Sequence, residues 1–168
     1  MKYLAVFYRE PVGNPDCPMM HRTGFALGGK TPLGRTGLFS VRLHRFCPDF
    51  IDEHPHDHPW PFVTFVIKGE YDDLVPRVEM HCDPSNGART SSFPHMTGDL
   101  VVGDKMRPGK LRYRRAQHIH STRVGPKGCT TIVVTGPVIR QWGFWSRGSF
   151  YSAAVQAYRK RFGTAACE

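Results

Sequence analysis

Five histidines lie in two short segments, and in each segment they alternate with other residues. The first segment, "EHPHDHPW", places His54, His56 and His58 at every second position, and the second, "QHIHS", contains His118 and His120. Alternate side chains of an extended segment point the same way, so the imidazoles of each segment can converge on one point. Neutral imidazole is a good ligand for Fe, Zn, Ni, Cu and Mn. The two segments together therefore predict a site for one divalent metal ion.

The alternative interpretation is that these histidines form a polar surface. A single His-x-His on a strand is usually exposed, and Pro55 and Pro59 could make the first segment a loop. Two pairs favour the ligand interpretation, because they lie about 60 residues apart and the first leads directly into an apolar run. The isolated histidines are interpreted as surface residues or as supports for the ligands: His21, His44, His81 and His95.

Short runs of β-branched and aromatic residues predict the elements that carry these histidines. The chain contains 17 glycines and 14 prolines, and runs separated in this way are typical of an all-β sandwich or barrel. The run "GLFSVRLHRF" puts Phe39, Val41 and Leu43 on one face and Arg42 and His44 on the other. The run "PWPFVTFVIKG" is apolar on both faces, which predicts a strand in the middle of a sandwich. We predict strands at residues 3–8, 38–46, 60–68, 77–82, 99–103, 111–115, 118–124 and 130–136.

The length of 168 residues predicts a single domain. The sequence also predicts one helix at the C-terminal end. The segment "FYSAAVQAYRKRF" places Phe150, Ala154, Tyr158 and Phe162 four residues apart on one stripe, and Ser149 is a suitable N-cap. We therefore expect a helix at about 149–162 that packs against the β domain. The segment at about 83–98 is interpreted as a long polar loop.

The composition limits the classes of partner. No apolar stretch is long enough to cross a membrane, and five scattered cysteines without a Cys-x-x-Cys pair favour a reducing, cytoplasmic setting. The net charge of +9 could attract nucleic acid or steer an anionic small molecule into a basic cleft. The basic residues are dispersed along the chain, which favours a solvated basic face and makes nucleic acid the less favoured partner.

The spacing of the histidines resembles the first motif of the cupin superfamily, the small jelly-roll barrels. That motif is His-x-His, three or four residues, Glu, six residues and Gly; here Phe62 and Gly69 follow His56 and His58 at the matching positions. The segment "RPGKLRYRRAQHIHSTRV" resembles the second motif, with His120 as the last histidine. The pattern HxHDHPW, with "TGPVIRQWGFW" further on, looks like a small group of bacterial and phage cupins. The resemblance covers about residues 38–146 and implies one jelly-roll domain.

The resemblance implies a metal site at His56, His58 and His120, with His54 and His118 as rim residues or competing ligands. The glutamate of the family motif is absent, so the ligand set carries no charge; Fe(II) is the favoured ion, with Ni, Mn and Zn as alternatives. We therefore expect a mononuclear non-haem iron oxygenase that acts on a small organic molecule, with an anionic one favoured by the basic charge. The alternatives are a cupin isomerase, epimerase or lyase acting on a sugar or carboxylate, and a non-catalytic binding module with a basic surface.

Other side chains could take part in catalysis or substrate binding. Tyr71 and Tyr113 could act as acids, bases or hydrogen-bond donors, with packing as the alternative. Arg115 could bind an anionic group through its guanidinium, as could Arg42 and Arg140. For each arginine, a surface position is the alternative.

Further expectations concern the surroundings of the site and the assembly of the chain. Asp57 lies between two histidines and should point away from the metal, where it could at most orient a ligand. Trp142, Phe144 and Trp145 could line a pocket mouth or belong to the core. The apolar segment "KYLAVFY" should pair within the barrel or across a homodimer, because an exposed edge of this kind invites aggregation.

Overall fold

Nine β-strands make up the regular structure in the part of the chain that the structure describes. It is a computed structural model that describes residues 4–14, 17–31, 34–52, 54–79, 95–146 and 149–152. Within these residues no helix is long and apolar enough to cross a membrane. The strands are β1 Leu4–Asn14, β2 Cys17–Thr31, β3 Gly34–Phe46, β4 Phe62–Glu79, β5 His95–Met106, β6 Leu111–Arg114, β7 Ser121–Thr135, β8 Gly143–Ser146 and β9 Ser149–Ser152.

The strands pair antiparallel in a large sheet of order β1-β2-β3-β7-β4-β5, with β6 also paired to β4. Strands β8 and β9 form a separate two-stranded sheet. Strands β4 and β7 run side by side from the pair Phe62 and Thr135 to the pair Leu74 and Ser121. Their register shifts after Val66 and again after Gly69. Shifts of this kind bend a strand, so β4 and β7 can each follow the wall of a barrel.

Two glycines allow the backbones of β4 and β7 to approach closely at the second register shift. Gly69 and Gly128 have φ angles of 72° and 66°, which lie in the left-handed region that side chains disfavour. A Cβ atom on Gly69 would also overlap the backbone carbonyl of Gly128. The glycine that matches the cupin motif is therefore required by the backbone.

The core lies on the inner face of the bent strands. Its fully buried cluster is Val66, Met106, Val124 and Cys129, against which Phe46, Phe50 and Tyr71 pack. Phe62 and Thr64 are buried on the same face of β4 as Val66. On β3 the inward side chains are polar, because Ser40 and His44 are buried whereas Phe39 and Val41 are exposed.

The all-β prediction is confirmed, but several elements differ from the predicted ones. Strand β2 was not predicted, β1 and β4 extend well beyond their predicted ends, and the predicted strands 118–124 and 130–136 form the single strand β7. The strand "PWPFVTFVIKG" lies between two partners as expected, yet its second face is open, since Phe65 and Ile67 are 36% and 46% exposed. The predicted strand 77–82 is described only to residue 79, as the end of β4. The polar loop at 83–98 lies mostly outside the described residues, and its last four residues begin β5.

The predicted helix at 149–162 is wrong at its start. Ser149–Ser152 forms strand β9, paired with β8, and the ring of Phe150 lies 5.3 Å from that of Trp145. The aromatic contact and the strand pairing outweigh the local helical pattern there. Residues 153–162 lie outside the described part of the chain. Strand β1, whose pairing was the other open question at the ends of the chain, pairs with β2 within the same molecule.

Candidate metal centre

Backbone hydrogen bonds hold the two histidine segments side by side. The amide of His56 donates to the carbonyl of His120 at 2.9 Å, and the amide of His120 donates back to His56 at 3.0 Å. The amide of His58 donates to Ala116, in the turn before the second segment. The first segment therefore runs antiparallel to the second although neither belongs to a long strand. This pairing brings alternate histidines of both segments to one point.

The imidazoles of His56, His58 and His120 form the convergent set. One ligand atom from each lies within 4.8 Å of the other two, and the Nε2 atoms of His58 and His120 are 3.0 Å apart. Two nitrogens bound to one ion at about 2.1 Å and at right angles would be about 3.0 Å apart. The observed separation therefore fits two ligands of the same divalent ion. The predicted ligand set is the one that the structure brings together.

Two aspartates bind the far nitrogens of this set. The Nδ1 atom of His56 lies 3.1 Å from Oδ2 of Asp52 and 3.2 Å from the carbonyl of His54. The Nδ1 atom of His120 lies 2.5 Å from Oδ1 of Asp73. A carboxylate at Nδ1 keeps the proton there and leaves Nε2 free to bind a metal, which is the usual support of a histidine ligand. Neither aspartate was predicted from the sequence.

Burial and neighbouring charges set the protonation of the three histidines. Burial lowers the pKa of His58 well below its ordinary value, and the nearby His56 and His120 lower it further. Burial also lowers the pKa of His120, although Asp73 opposes this. For His56 burial acts in the same direction, but the contact with Asp52 outweighs it and the pKa is raised. His58 and His120 are thus neutral at physiological pH, as a metal ligand must be.

Asp73 is the centre of a second polar cluster next to the metal set. It is 2% exposed, and its Oδ2 atom accepts from Arg114 Nη2 at 2.7 Å and lies 3.0 Å from His118 Nε2. Burial alone would raise the pKa of Asp73, but its bonds to His118 and His120 hold it far below its ordinary value. Asp73, His118 and His120 could also hold an ion. The guanidinium of Arg114 already neutralises that carboxylate, which favours the all-histidine set.

The other members of the histidine segments lie at the edge of this arrangement. His54 is half-buried, and its backbone amide donates to Asp52 Oδ1 at 3.0 Å. His118 is half-buried and contacts Asp73. The buried carboxylate of Asp57 points away from the histidines, as predicted, and accepts from Arg140 Nη1 at 2.5 Å and from the amide of Gly143 at 2.8 Å. Asp57 therefore binds Arg140 and Gly143, in the segment that leads into β8, and does not orient a ligand.

Aromatic side chains surround the convergent set. The His58 ring stacks on Trp60 at 4.7 Å with an interplanar angle of 16°, and Phe62 lies at the same distance edge-on. The rings of Trp142 and Phe144 lie 6.4 and 6.0 Å from that of His56. The predicted aromatic cluster thus lies at the site, except for Trp145, which packs against Phe150. These rings exclude water from one side of the imidazoles.

The predicted catalytic residues lie elsewhere. Tyr71 packs in the core, where burial raises its pKa. Tyr113 and Arg115 are exposed, and within the described residues none of the three has a hydrogen bond or ring contact with the convergent histidines. An open cavity of about 440 Å³ is lined by Tyr113, Arg114, Arg115, Gln117 and His118. Arg140 is paired with Asp57, so Arg42 is the predicted anion-binding arginine that faces inward beside the site.

The antiparallel strands and the convergent histidines define an all-β domain with a candidate metal site, in line with the expectation from the cupin resemblance. No protein-family model and no curated protein matches the chain. Solved structures do resemble it. An RmlC-like cupin from Shewanella frigidimarina is 14% identical, with a TM-score of 0.45 over 80% of this chain and 86% of that one.

Two enzymes are among the similar structures. The polyketide cyclase RemF from Streptomyces resistomycificus is 18% identical, with a TM-score of 0.48 over 92% of this chain and 87% of that one. An oxalate decarboxylase from Lactobacillus farciminis is 13% identical, with a TM-score of 0.49 over 82% of this chain and 33% of the enzyme. This chain thus aligns with only a third of the decarboxylase. At these identities the similarity concerns the fold alone.

Proposed function

We propose that this protein is a mononuclear metal-dependent enzyme whose ion is bound by His56, His58 and His120. The observation that carries the proposal is the pair of Nε2 atoms 3.0 Å apart, one from each histidine segment, with the third imidazole beside them. His56 and His120 each have a carboxylate at Nδ1, from Asp52 and Asp73 respectively. A polar surface would not require histidines to be buried, held by carboxylates and convergent on one point.

The chain's own groups have distinct parts in this site. The three imidazoles would hold the ion, and Asp52 and Asp73 fix the tautomer and the ring orientation of two of them. Trp60, outside the ligand set, keeps the ring of His58 in place by stacking. A bound divalent ion would supply Lewis acidity and, if it is iron, one-electron redox chemistry.

The reaction that we propose is oxygenation of a small anionic organic molecule by a non-haem Fe(II) centre. Three neutral ligands leave the charge of the ion uncompensated, unlike the set of two histidines and one carboxylate. Such a centre attracts an anionic substrate, and the net charge of +9 would steer one toward the protein.

Metal content tests the site directly. The protein is purified without chelator or histidine tag and incubated with Fe(II), Mn(II), Ni(II) or Zn(II), and its metal content is measured by mass spectrometry. We expect about one ion per chain. The variants His56→Ala and His120→Ala should lose it. The variants His54→Ala and His118→Ala should retain most of it, and His21→Ala, at an exposed position on β2, is the control. Wild-type protein that takes up none of the four ions would contradict the proposal.

Oxygen consumption tests the reaction separately. Fe(II)-loaded protein is incubated with a panel of small carboxylates, phosphonates and thiols, and the oxygen concentration is followed with an electrode. Oxygen uptake that depends on one compound and is absent from His120→Ala supports the oxygenase. Turnover of a panel compound without oxygen uptake would indicate an isomerase or lyase at the same metal.

The pairing of His120 with Asp73 supports a second candidate function. A buried histidine whose Nδ1 contacts a carboxylate at 2.5 Å is also suited to general acid–base catalysis without metal. In that case the protein would be a metal-free epimerase or isomerase. Activity that survives removal of all bound metal by a chelator would favour this candidate, and loss of activity that is restored by adding the ion favours the metal enzyme.

A further inference from the structure

Three residues in one row across β1, β2 and β3 place a phenol beside an inward-facing arginine. The register pairs Tyr8 with Gly24, and Gly24 with Arg42. A Cβ atom on Gly24 would lie 2.8 Å from the Tyr8 hydroxyl, so the missing side chain makes room for the phenol above β2. Burial lowers the pKa of the Arg42 guanidinium, and the neighbouring Tyr8 phenol opposes this.

Arg42 lies next to the candidate metal centre and forms no salt bridge with an acidic residue in the described part of the chain. Its Nε atom donates to Ser40 Oγ at 2.7 Å, and its guanidinium lies 4.6 Å from the centre of the Trp60 ring. The same ring stacks on His58, a proposed metal ligand. Glu10 on β1 is paired with Arg22. Glu10 also attracts Arg42 from a distance, but Arg42 forms no salt bridge among the described residues, so its charge is only partly compensated.

Two buried polar atoms on the same inner face also have no hydrogen-bond partner. They are Nε2 of His44 and Oγ1 of Thr131, whose residues are paired across β3 and β7. His44 is 8% exposed and stands two residues from Arg42 on β3. Burial, with the charges of Arg22 and Arg42, lowers the pKa of His44 to about 3, so the ring is neutral at physiological pH. Buried polar atoms without a partner cost free energy unless a bound molecule satisfies them.

These observations have one explanation in common. A partly buried guanidinium without a carboxylate, and neighbouring groups able to donate hydrogen bonds, form an environment for an oxyanion. We propose that Arg42, with Tyr8 and His44, is the subsite that binds a carboxylate or phosphate group of the substrate. This inference rests on the proposed function, since it assigns the second anchoring point of a substrate held at the metal centre. It implies a substrate that is a small organic acid or phosphate ester.

Calorimetric titration tests the subsite without any enzymatic reaction. Succinate, inorganic phosphate and neutral succinamide are titrated into wild-type protein, both metal-free and loaded with Zn(II). We expect succinate or phosphate, but not succinamide, to bind in both forms, and the preferred anion distinguishes a carboxylate site from a phosphate site. The metal-free arm separates binding at Arg42 from direct binding to the ion.

Variants assign the binding to Arg42. Arg42→Gln should weaken anion binding by about 10-fold or more, and Arg42→Lys by less, because it keeps the charge and loses the two-pronged geometry. Gly24→Ala should also weaken binding, since its Cβ would crowd the Tyr8 phenol and the backbone carbonyl of Val41, the residue before Arg42. Arg45→Gln, at an exposed position of the same strand, is the matched control and should bind as the wild type does. Circular dichroism and thermal melting show that each variant is folded.

The outcomes separate the two proposals. Wild-type protein that binds metal but neither anion overturns the subsite and leaves the metal enzyme standing. Anion binding that is lost in Arg42→Gln, in a chain that takes up no metal, supports the subsite and contradicts the metal enzyme. Binding that is equal in Arg42→Gln and wild type, or lost equally in Arg45→Gln, also overturns the subsite.

Discussion

At the scale of single residues, the two buried aspartates decide what the histidines can do. An imidazole has two nitrogens, and a carboxylate hydrogen-bonded to one fixes the proton there and frees the other. Asp73 does this for His120 at 2.5 Å and Asp52 for His56 at 3.1 Å. The convergence of the Nε2 atoms is thus maintained by groups that would not touch the ion.

The variant Asp73→Asn tests this arrangement. An amide can offer its NH2 group to His120 Nδ1 and so stabilise the tautomer that carries its proton on Nε2, which cannot bind a metal. We expect the affinity for Zn(II) to fall by about 10- to 100-fold, measured by competition with a chromophoric chelator. Asp72→Asn is the matched control, because Asp72 is the next residue on β4 and pairs with Arg123 at 2.6 Å. Equal affinities in wild type and Asp73→Asn would contradict the assigned role.

Buried His44 predicts a loss of stability in mild acid. Its pKa of about 3 lies below the ordinary value of about 6.5 that it regains on unfolding. The unfolded chain therefore binds a proton that the folded chain does not, so this contribution is complete above about pH 6.5 and falls as the pH approaches 3. The groups that face His44 are Arg22 and Arg42, which both oppose its protonation.

The variant His44→Gln should remove this dependence. Between pH 7 and pH 5, wild type should lose about 2 kcal/mol more of its free energy of unfolding than the variant, measured by urea denaturation. His21→Gln, at an exposed position of β2, should follow the wild type. Parallel pH profiles of wild type and His44→Gln would show that the buried ring accepts a proton without cost.

At the scale of elements, the sequence predicts the ligands better than their supports. His-x-His in an extended segment converges whatever the details of the strand, so the ligands were found from spacing alone. Asp73 is different, since Phe62, Thr64 and Val66 face inward at even positions and strict alternation would send Asp73 outward. The shift after Val66, where Val66 and Lys68 pair with the adjacent Thr131 and Thr130, adds one residue to β4 and reverses the alternation, so that Asp73 is buried.

The other two differences between predicted and observed elements, at β2 and at Ser149, have similar physical causes. Strand β2 contains Pro18 and several glycines, residues that usually mark turns, and it is a strand because β1 and β3 pair with it on both sides. The segment at Ser149 has a helical period, but its first residues pair with β8. In both places tertiary pairing outweighs local preference, and pairing between distant segments cannot be deduced from a local pattern.

The close approach of the β4 and β7 backbones depends on Gly69. We expect Gly69→Ala to lower the free energy of unfolding by about 2 kcal/mol or more, because it combines an unfavourable φ with an overlap at Gly128. Gly109→Ala is the matched control, since Gly109 has a φ of 83° but open space around its Cβ position. It should cost only about 1 kcal/mol, the conformational part. Equal melting temperatures for the two variants would show that the close approach relaxes without cost.

At the scale of the whole molecule, the main sheet departs from the usual polarity at β3, although Val66, Met106, Val124 and Cys129 keep another part of its inner face apolar. Its inner face carries Ser40, Arg42 and His44 on β3, and its outer face carries an apolar row. That row crosses six strands in register and consists of Phe7, Phe25, Val41, Val134, Val63 and Tyr113. The interior of this part of the domain is thus a polar site, and the apolar surface lies outside.

The size of the outer face suggests what covers it. Six strands at about 4.8 Å spacing and two to three outward residues per strand give an apolar footprint on the order of 500 Å². Monomeric proteins rarely expose a contiguous apolar patch of more than a few hundred Å². A stable dimer buries roughly 800 Å² per partner, so this face could form the apolar centre of a two-fold interface between copies of the chain.

We therefore predict a homodimer that buries the outer face, with Val41 and Val134 near its centre, where both are 41% exposed in the single chain. A glutamate at either position would place uncompensated charge in the interface. Sedimentation velocity should show a dimer for the wild type and a monomer for Val41→Glu and Val134→Glu, with unchanged circular dichroism. Ile51→Glu is the control, because Ile51 is 50% exposed and pairs with Arg123, outside the row. The prediction fails if the wild type sediments as a monomer at every concentration, or if Ile51→Glu dissociates as readily as the variants in the row.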